Sequence, residues 1–478
     1  MTHGLAHGSP DRELGAFVSG PVVTRHAALF TDLYELTMAA SYFGEGMHGA
    51  ATFSLFSRKL PRSRSFLVAA GLEDVLEYLR TVRFSDEAID YLRSLRRFQE
   101  PFLDFLRTVR FTGDVRAVPE GTVIFPDEPL VEVTAPILEA QLVETAVINF
   151  CHFQTVLASK AIRSVLAARG RPIVEFGLRR TPGTDAGMKA ARCTYLVGAE
   201  MSSNVLAGLT YGIPPMGTMA HSYVVAFPDE ITSFRAYARA FPDHTTLLID
   251  TYDTVAAAHK AVVVAKEMEA RGHRLGGVRL DSGDLAALSR DVRRVLDAAA
   301  LDYVRIFASG GLDEQVIDDL VTQGAPIDAF GVGTRMDVSA DAPYLDMAYK
   351  LVRYDGRNVL KTSTGKETWT GEKQVYRFRG PDGRFGHDLL ALRDEPSPPG
   401  AEPLLQTVMT GGQPMAVARP PLPEARRYCA SQVATLPDAV IRLREPASYP
   451  VHYSDRLLAV QHAVKAEIER HEVQQAAR

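Results

Sequence analysis

Cysteine is scarce in this chain. Its 478 residues include three, Cys151, Cys193 and Cys429, far apart and never in a C-x-x-C pair. Three thiols cannot all pair, and their spacing offers no zinc-ligand set. A disulfide scaffold and a structural zinc site are excluded, leaving three small hydrophobes in a reducing compartment. Long apolar runs are missing too. No stretch approaches the roughly 18 residues of a membrane span. The opening MTHGLAHGSPDRELG lacks the apolar centre of a secretory signal. The sequence therefore reads as cytoplasmic, with residues 1–20 a disordered lead-in. An excess of positive charge is also absent. Lys and Arg number 53 against 58 Asp and Glu, a net charge of −5, which disfavours a nucleic-acid partner. A weakly acidic whole can still hold a basic pocket, because steering depends on local field. No G-x-x-x-x-G-K-[ST] run occurs, so any ATP used is not held by a P-loop.

What is present is ordinary for a globular protein: 46% hydrophobic and 23% charged residues. The length exceeds one hydrophobic core and predicts two domains. A helix is predicted from Thr31-Asp32, with Asp32 as cap and Glu35 three residues on, in the manner of a capping box. Leu72, Val75, Leu76 and Leu79 mark a second helix over 71–82. Residues 111–138 read as short strands cut by Gly and Pro, and a long helix follows over 138–168. From residue 172 short apolar runs recur, each ending in a polar or glycine-rich turn: PIVEF, PMGTMAHSYVV, TLLID, GGVRL, YVRIFA and IDAFGV, with DMAYKLVRY (346–354) as a final candidate. Strands alternating with helices imply a parallel sheet, and six or seven such units imply a compact, irregular α/β barrel. Beyond 353 the pattern turns β-rich, with 368–385 a strand pair, a Pro-rich linker at 395–403 and an amphipathic helix at the end.

Barrel active sites are built from loops at the strand C-termini. Arg179, Arg180, Asp250, Asp281, Ser309 and Thr334 all fall there. Ser309-Gly310-Gly311 follows one strand, and Gly331-Val332-Gly333-Thr334 follows the next. Two consecutive glycine turns before helices suit a phosphate cradle. Arg279 and Asp281 lie two apart on a strand and point one way. They fit an anion with a ribose diol, or a hydrated Mg²⁺, and equally an internal ion pair with Asp284 as a helix cap. His221, among small neighbours in GTMAHS, fits a base, an acid or a phosphate carrier, with Asp250 the natural partner to fix its ring. Phe176 beside Arg179 and Arg180 suits a flat aromatic carboxylate, or a core ring beside surface arginines. Tyr34 alone reads as packing.

TDLYELTMA, EFGLRR, SSNVLAGLTYGIP, GTMAHS, RLDSGD, ASGGL and FGVGT occur in order over about residues 30–335. Together they resemble the nicotinate phosphoribosyltransferases, and EKQVYR further on fits as well. The acidic pair and T-G-G-T loop of the type I phosphoribosyltransferases are absent. The resemblance implies a type II fold: an N-terminal α/β domain (21–150), an irregular α/β barrel (151–350), and a C-terminal segment (351–478) returning to the first domain. It implies a homodimer with shared active sites. It also implies transfer of the phosphoribosyl group of phosphoribosyl pyrophosphate (PRPP) to nicotinate, coupled to ATP and assisted by Mg²⁺. By motif, Tyr34 of the neighbouring subunit stacks on the pyridine opposite Phe176, and Arg179 takes its carboxylate. Arg279 and Asp281 hold the phosphoribosyl part; Ser309, Gly310, Gly311, Gly331, Gly333 and Thr334 hold its 5′-phosphate. His221 carries a phosphate from ATP, oriented by Asp250. Metal ligands and the basic run Arg58–Arg62 stay unassigned. Two rivals are a nicotinamide phosphoribosyltransferase, against which Met219 in GTMAHS counts, and a non-catalytic barrel that binds a phosphometabolite.

Overall fold

The computed structural model describes residues 26–363 and 367–473; the lead-in at 1–20 lies outside these. One core gathers around a seven-stranded sheet, in the order Arg357–Asn358, Met347–Tyr354, Ala50–Ser57, Pro129–Pro136, Asp114–Ala117, Gln406–Thr410, Gln413–Pro414, with antiparallel pairing throughout. Ala50–Ser57 is central and covered on both faces, so its polar residues need partners. Ser54 Oγ donates to Glu132 at 2.6 Å, and Thr52 and Thr134 share a hydrogen bond of 2.9 Å.

The second core surrounds a parallel sheet of six strands, ordered Met201–Ser202, Ile173–Glu175, Ala329–Val332, Arg305–Ala308, Gly277–Leu280, Thr246–Leu248. This half-barrel is the irregular α/β barrel that the βα alternation predicts. Acidic caps start the helices that follow: Asp253, Asp284 and Asp313 each accept a backbone N–H at 2.7–3.1 Å. Asp284 is thus a cap, as one of its two readings had it. A third sheet, of four strands, pairs Lys373–Arg379 with Phe385–Leu392 as a hairpin.

Several local expectations are corrected. DMAYKLVRY is not a barrel strand: Met347–Tyr354 pairs antiparallel with Ala50–Ser57, setting Leu351 against Phe53 and Tyr349 against Leu55. An apolar alternation says that a strand is half-covered, not which sheet covers it. PMGTMAHSYVV is not a strand either. Pro215 makes one isolated bridge to Ser202, and a helix starts at His221; Pro215 removes a ladder donor and Gly217 favours a turn. The long helix breaks at Val143 into Ile137–Leu142 and Glu144–Ala168. The capping box at Asp32 does not form. No side chain caps Leu33–Gly44. Asp32 accepts from Thr145 Oγ1 at 2.6 Å, while Glu35 turns inward to Thr31 and to the Thr145 N–H. Burial pushes the Glu35 carboxyl up to about 7, against the pull of those donors.

The basic run acquires a structural role. Arg58 pairs with Asp346 at 2.9 Å, with Lys59 at 3.8 Å from the same carboxylate. Buried Arg64, just beyond, pairs with Asp341 at 2.9 Å. The run ties the first sheet to the segment leaving the barrel. No helix among the described residues is long and apolar enough to cross a membrane.

Candidate active site

At the C-terminal rim of the half-barrel the turns enclose a cavity of about 720 Å³. Phe176, Arg179, His221, Arg279, Asp281, Ser309, Gly310, Gly311, Gly331, Gly333 and Thr334 all line it. Eleven residues spread over about 160 positions of sequence come to one wall because consecutive βα turns of a parallel sheet share an end.

Arg279 organises the wall. Its Nε donates to Ser309 Oγ at 3.0 Å. Nη1 donates to Thr218 Oγ1 at 2.6 Å and to the Met219 carbonyl at 3.2 Å, and Nη2 donates to Asp281 at 3.2 Å. Its guanidinium carbon lies 5.8 Å from the centre of the Phe176 ring. The internal ion pair is therefore real, and Arg279 also faces the cavity. Asp281 accepts from Ser309 Oγ at 2.5 Å. Burial alone would raise its pKa, but the Ser309 bond, the Arg279 charge and His221 outweigh it and hold the carboxyl below its usual range.

The Ser309–Gly311 turn lies hard against this pair. Gly310 has φ +87°, and a Cβ built there would stand 1.7 Å from the Asp281 carbonyl oxygen. Only glycine permits that approach. The following helix begins at Glu314, capped by Asp313. The helix after Gly333 is a single turn, Thr334–Asp337.

His221 opens the helix His221–Val225 with its side chain half-exposed. Its Nδ1 lies 3.1 Å from Thr251 Oγ1, and its Nε2 lies 4.0 Å from Asp281 Oδ2. The expectation that Asp250 orients the ring is corrected. Asp250 accepts from the Asp281 N–H at 3.1 Å and from Ser282 Oγ at 2.6 Å, and its Oδ1 is buried with no protein partner. Asp250 lies in the turn after Thr246–Leu248 and faces the Asp281 backbone, and the next residue, Thr251, meets the imidazole. Thr251 carried no signal in sequence, since a threonine after a strand is commonplace. Thr218 and Arg335 were missed as well. Thr218 sits inside GTMAHS, so its motif was legible though its bond to Arg279 was not.

Phe176 meets Phe307 edge-on at 5.6 Å between centres and lines the cavity. Arg179 and Arg180 are exposed beside it on the turn Leu178–Arg180. Tyr34 does not line this cavity. It is exposed on Leu33–Gly44 in the first domain. Partial burial and the Glu144 and Glu35 carboxylates push its phenol pKa up.

Residues 29–152 match the N-terminal domain model of nicotinate phosphoribosyltransferase, residues 172–374 match the nicotinate phosphoribosyltransferase family model, and residues 399–461 match the C-terminal domain model. A nicotinate phosphoribosyltransferase of Mycobacterium tuberculosis is 51% identical over 92% of the chain and 95% of its own length. One of Bacillus subtilis is 41% identical over 77% of the chain and 76% of its own. The crystal structure of human nicotinic acid phosphoribosyltransferase superposes with a TM-score of 0.82 at 32% identity, covering 91% of this chain and 99% of that one.

Proposed function

This chain belongs to the nicotinate phosphoribosyltransferase family, and from that premise we propose that it couples the transfer to ATP through a phosphate carried on His221. The reaction joins nicotinate to the phosphoribosyl group of PRPP, giving nicotinate mononucleotide and pyrophosphate, in NAD biosynthesis. The observation that supports the site assignment is the single cavity that unites an aromatic face, guanidiniums, two glycine turns and an imidazole.

Each wall has a task. The pyridine lies on Phe176 and its carboxylate meets Arg179. The glycine turns and Thr334 take the 5′-phosphate. Asp281, kept ionised, faces the ribose carbon as it becomes oxocarbenium-like, where positioning and electrostatics carry most of the rate. In the coupling step His221 Nε2 attacks the γ-phosphorus of ATP: an N–P bond forms, the bond to ADP breaks, and water later returns phosphate and the free ring. Thr251 on Nδ1 leaves Nε2 for this role.

A pyrophosphate leaving group calls for Mg²⁺. Asp281 on the cavity wall and Asp250, with its unpartnered buried oxygen, fit a hard cation that keeps most of its water and takes one or two carboxylates. Bound there, it would neutralise charge on the leaving group. Among the described residues no cluster of three or more His, Cys, Asp or Glu side chains is assembled for a metal. A homodimer completes the site: Tyr34 of a second copy stacks on the pyridine opposite Phe176. Exposed Val205 and Leu209, on the helix that follows cavity residue Ser203, are the apolar surface such a contact would cover. The protein works in the cytoplasm.

Mass spectrometry of products from nicotinate, PRPP, ATP and Mg²⁺ tests the reading. Nicotinate mononucleotide with ADP and phosphate is expected. Preference for nicotinamide would favour the first rival, and no product from either base the second. Arg179→Ala is expected to raise the KM for nicotinate about tenfold, the scale of one charge-assisted contact, and that for PRPP far less; equal increases would count against the carboxylate assignment. Thr251→Val is expected to lower ATP-stimulated turnover about three- to tenfold with nicotinate KM unchanged, as a ring loses its orienting hydrogen bond. Stimulation at the wild-type level would remove Thr251 from the mechanism.

A further inference from the structure

Under the cavity lies a pair of carboxyl groups that the reaction does not use. Glu175 ends the strand Ile173–Glu175, and Asp337 ends the turn of helix Thr334–Asp337. Both are 0% exposed. Glu175 is provided for: one oxygen accepts the Gly177 N–H, and the other accepts Ser202 Oγ at 2.5 Å. Asp337 is not. Neither of its oxygens has a hydrogen-bond donor, yet Oδ2 lies so close to Gly177 that a Cβ built on that glycine would stand 1.7 Å from it. Both carboxyls therefore converge on Gly177, the residue between Phe176 and the Leu178–Arg180 turn.

Among the described residues no cation is paired with them: Arg335, on the same turn as Asp337, is taken by Asp313 at 2.8 Å. The helix Glu144–Ala168, packed on Thr334–Asp337, brings Lys160 and Arg163, whose charges are taken by Glu314 and Asp341. The turn Leu178–Arg180 brings Arg179 and Arg180, which face the cavity, Arg180 reaching Thr334 Oγ1 at 3.4 Å. Ser202 and Asn204, on the neighbouring strand and turn, are uncharged. Two ionised carboxylates in so dry a place would repel strongly, and a buried carboxyl without a donor is satisfied only by donating its own proton.

We propose that Asp337 carries a proton which it donates to Glu175, and that this shared-proton pair is the positioning element clamping the Phe176–Arg180 turn onto the Gly331–Gly333 turn. Burial, then the Glu175 charge, hold the Asp337 carboxyl far above its ordinary range. An acid raised in the folded state contributes stability that is fully present below its unfolded pKa, about 3.9, and is lost as pH rises through its folded pKa. The clamp thus loosens on the alkaline side. The consequence for substrate rests on Phe176 and Arg179 forming the nicotinate slot; the protonation state does not.

The test has two arms. Difference infrared spectra of the unliganded full-length protein are expected to show a protonated-carboxyl C=O band at neutral pH that disappears in D337N; E175Q, which should shift that band, serves if D337N does not fold. Steady-state kinetics are then followed from neutral to alkaline pH. The wild-type KM for nicotinate is expected to rise about tenfold, the loss of one charge-assisted hydrogen bond, with the PRPP KM nearly level. In D337N, whose amide keeps a donor without a titrating proton, the nicotinate KM should stay flat. Absence of a band assignable to the pair overturns proton sharing. A D337N profile matching the wild type overturns the positioning role. A protein with no nicotinate turnover at all would fail the functional reading while the infrared arm still decides the proton.

Discussion

Gly310→Ala is expected to remove nearly all pyrophosphate release while the protein stays folded. The added methyl would stand 1.7 Å from the Asp281 carbonyl oxygen and 2.7 Å from its carbon. Those are backbone atoms of the neighbouring turn and have no rotamer by which to retreat. The residue is also left-handed, at φ +87°, which adds about 1–3 kcal/mol of strain for an L side chain. The turn must therefore move, taking Ser309 off both Arg279 and Asp281. Each preorganised donor lost from such a site costs about 10²–10³ in rate, and this change disturbs several together. A fall of at least about 1,000-fold in kcat/KM for PRPP is expected, read by pyrophosphate release. Gly324→Ala is the control. Gly324 is also left-handed, at φ +65°, but open space surrounds it. It should cost about 1 kcal/mol of stability and no activity. A Gly310→Ala enzyme within tenfold of wild type would mean that the phosphate is held elsewhere.

His221→Ala has the second-largest effect. If Nε2 carries the phosphate, its loss removes ATP stimulation altogether and leaves a basal, ATP-independent transfer with PRPP still bound weakly. General acid or base action by the same ring would instead cost about 10²–10⁴ whether or not ATP is present. Comparing turnover with and without ATP separates the two. ATP hydrolysis uncoupled from product should vanish in the variant, and phosphate label retained by the wild-type protein after an alkaline quench, which spares an N–P bond, should be absent from it. Unchanged stimulation would sink the carrier role.

The two experiments address different layers. Gly310 tests whether backbone geometry makes the cradle. His221 tests whether a side chain performs group transfer. Both were visible as motifs before any fold was known, because glycine and histidine are chosen for properties local to one residue: an accessible left-handed φ and a ring with two nitrogens that titrates near neutrality. The βα alternation was legible for a similar reason. Short continuous apolar runs ending in glycine turns record burial on both faces of a parallel sheet, and that pattern needs no knowledge of neighbours.

What remained illegible was pairing. Asp250 and Thr251 are adjacent in sequence, yet one meets the Asp281 backbone and the other the His221 ring. Asp32 and Glu35 have the spacing of a capping box but are drawn off by Thr145, more than a hundred residues away. Met347–Tyr354 has the pattern of a barrel strand and joins the other sheet. Glu175 was part of a quoted motif and Asp337 lay in no motif, and nothing in their 162-residue separation brought them to one glycine.

The amino-acid order alone determined the class of fold, the family and the set of groups able to handle an anion, an aromatic acid and a phosphate. Those follow from properties each residue carries wherever it stands. Which imidazole nitrogen is free, which carboxylate is left without a donor and which turn presses on which backbone were decided only when distant segments packed. They depend on distances of a few ångströms between atoms far apart along the chain, and short-range forces record nothing of such distances until the chain has closed.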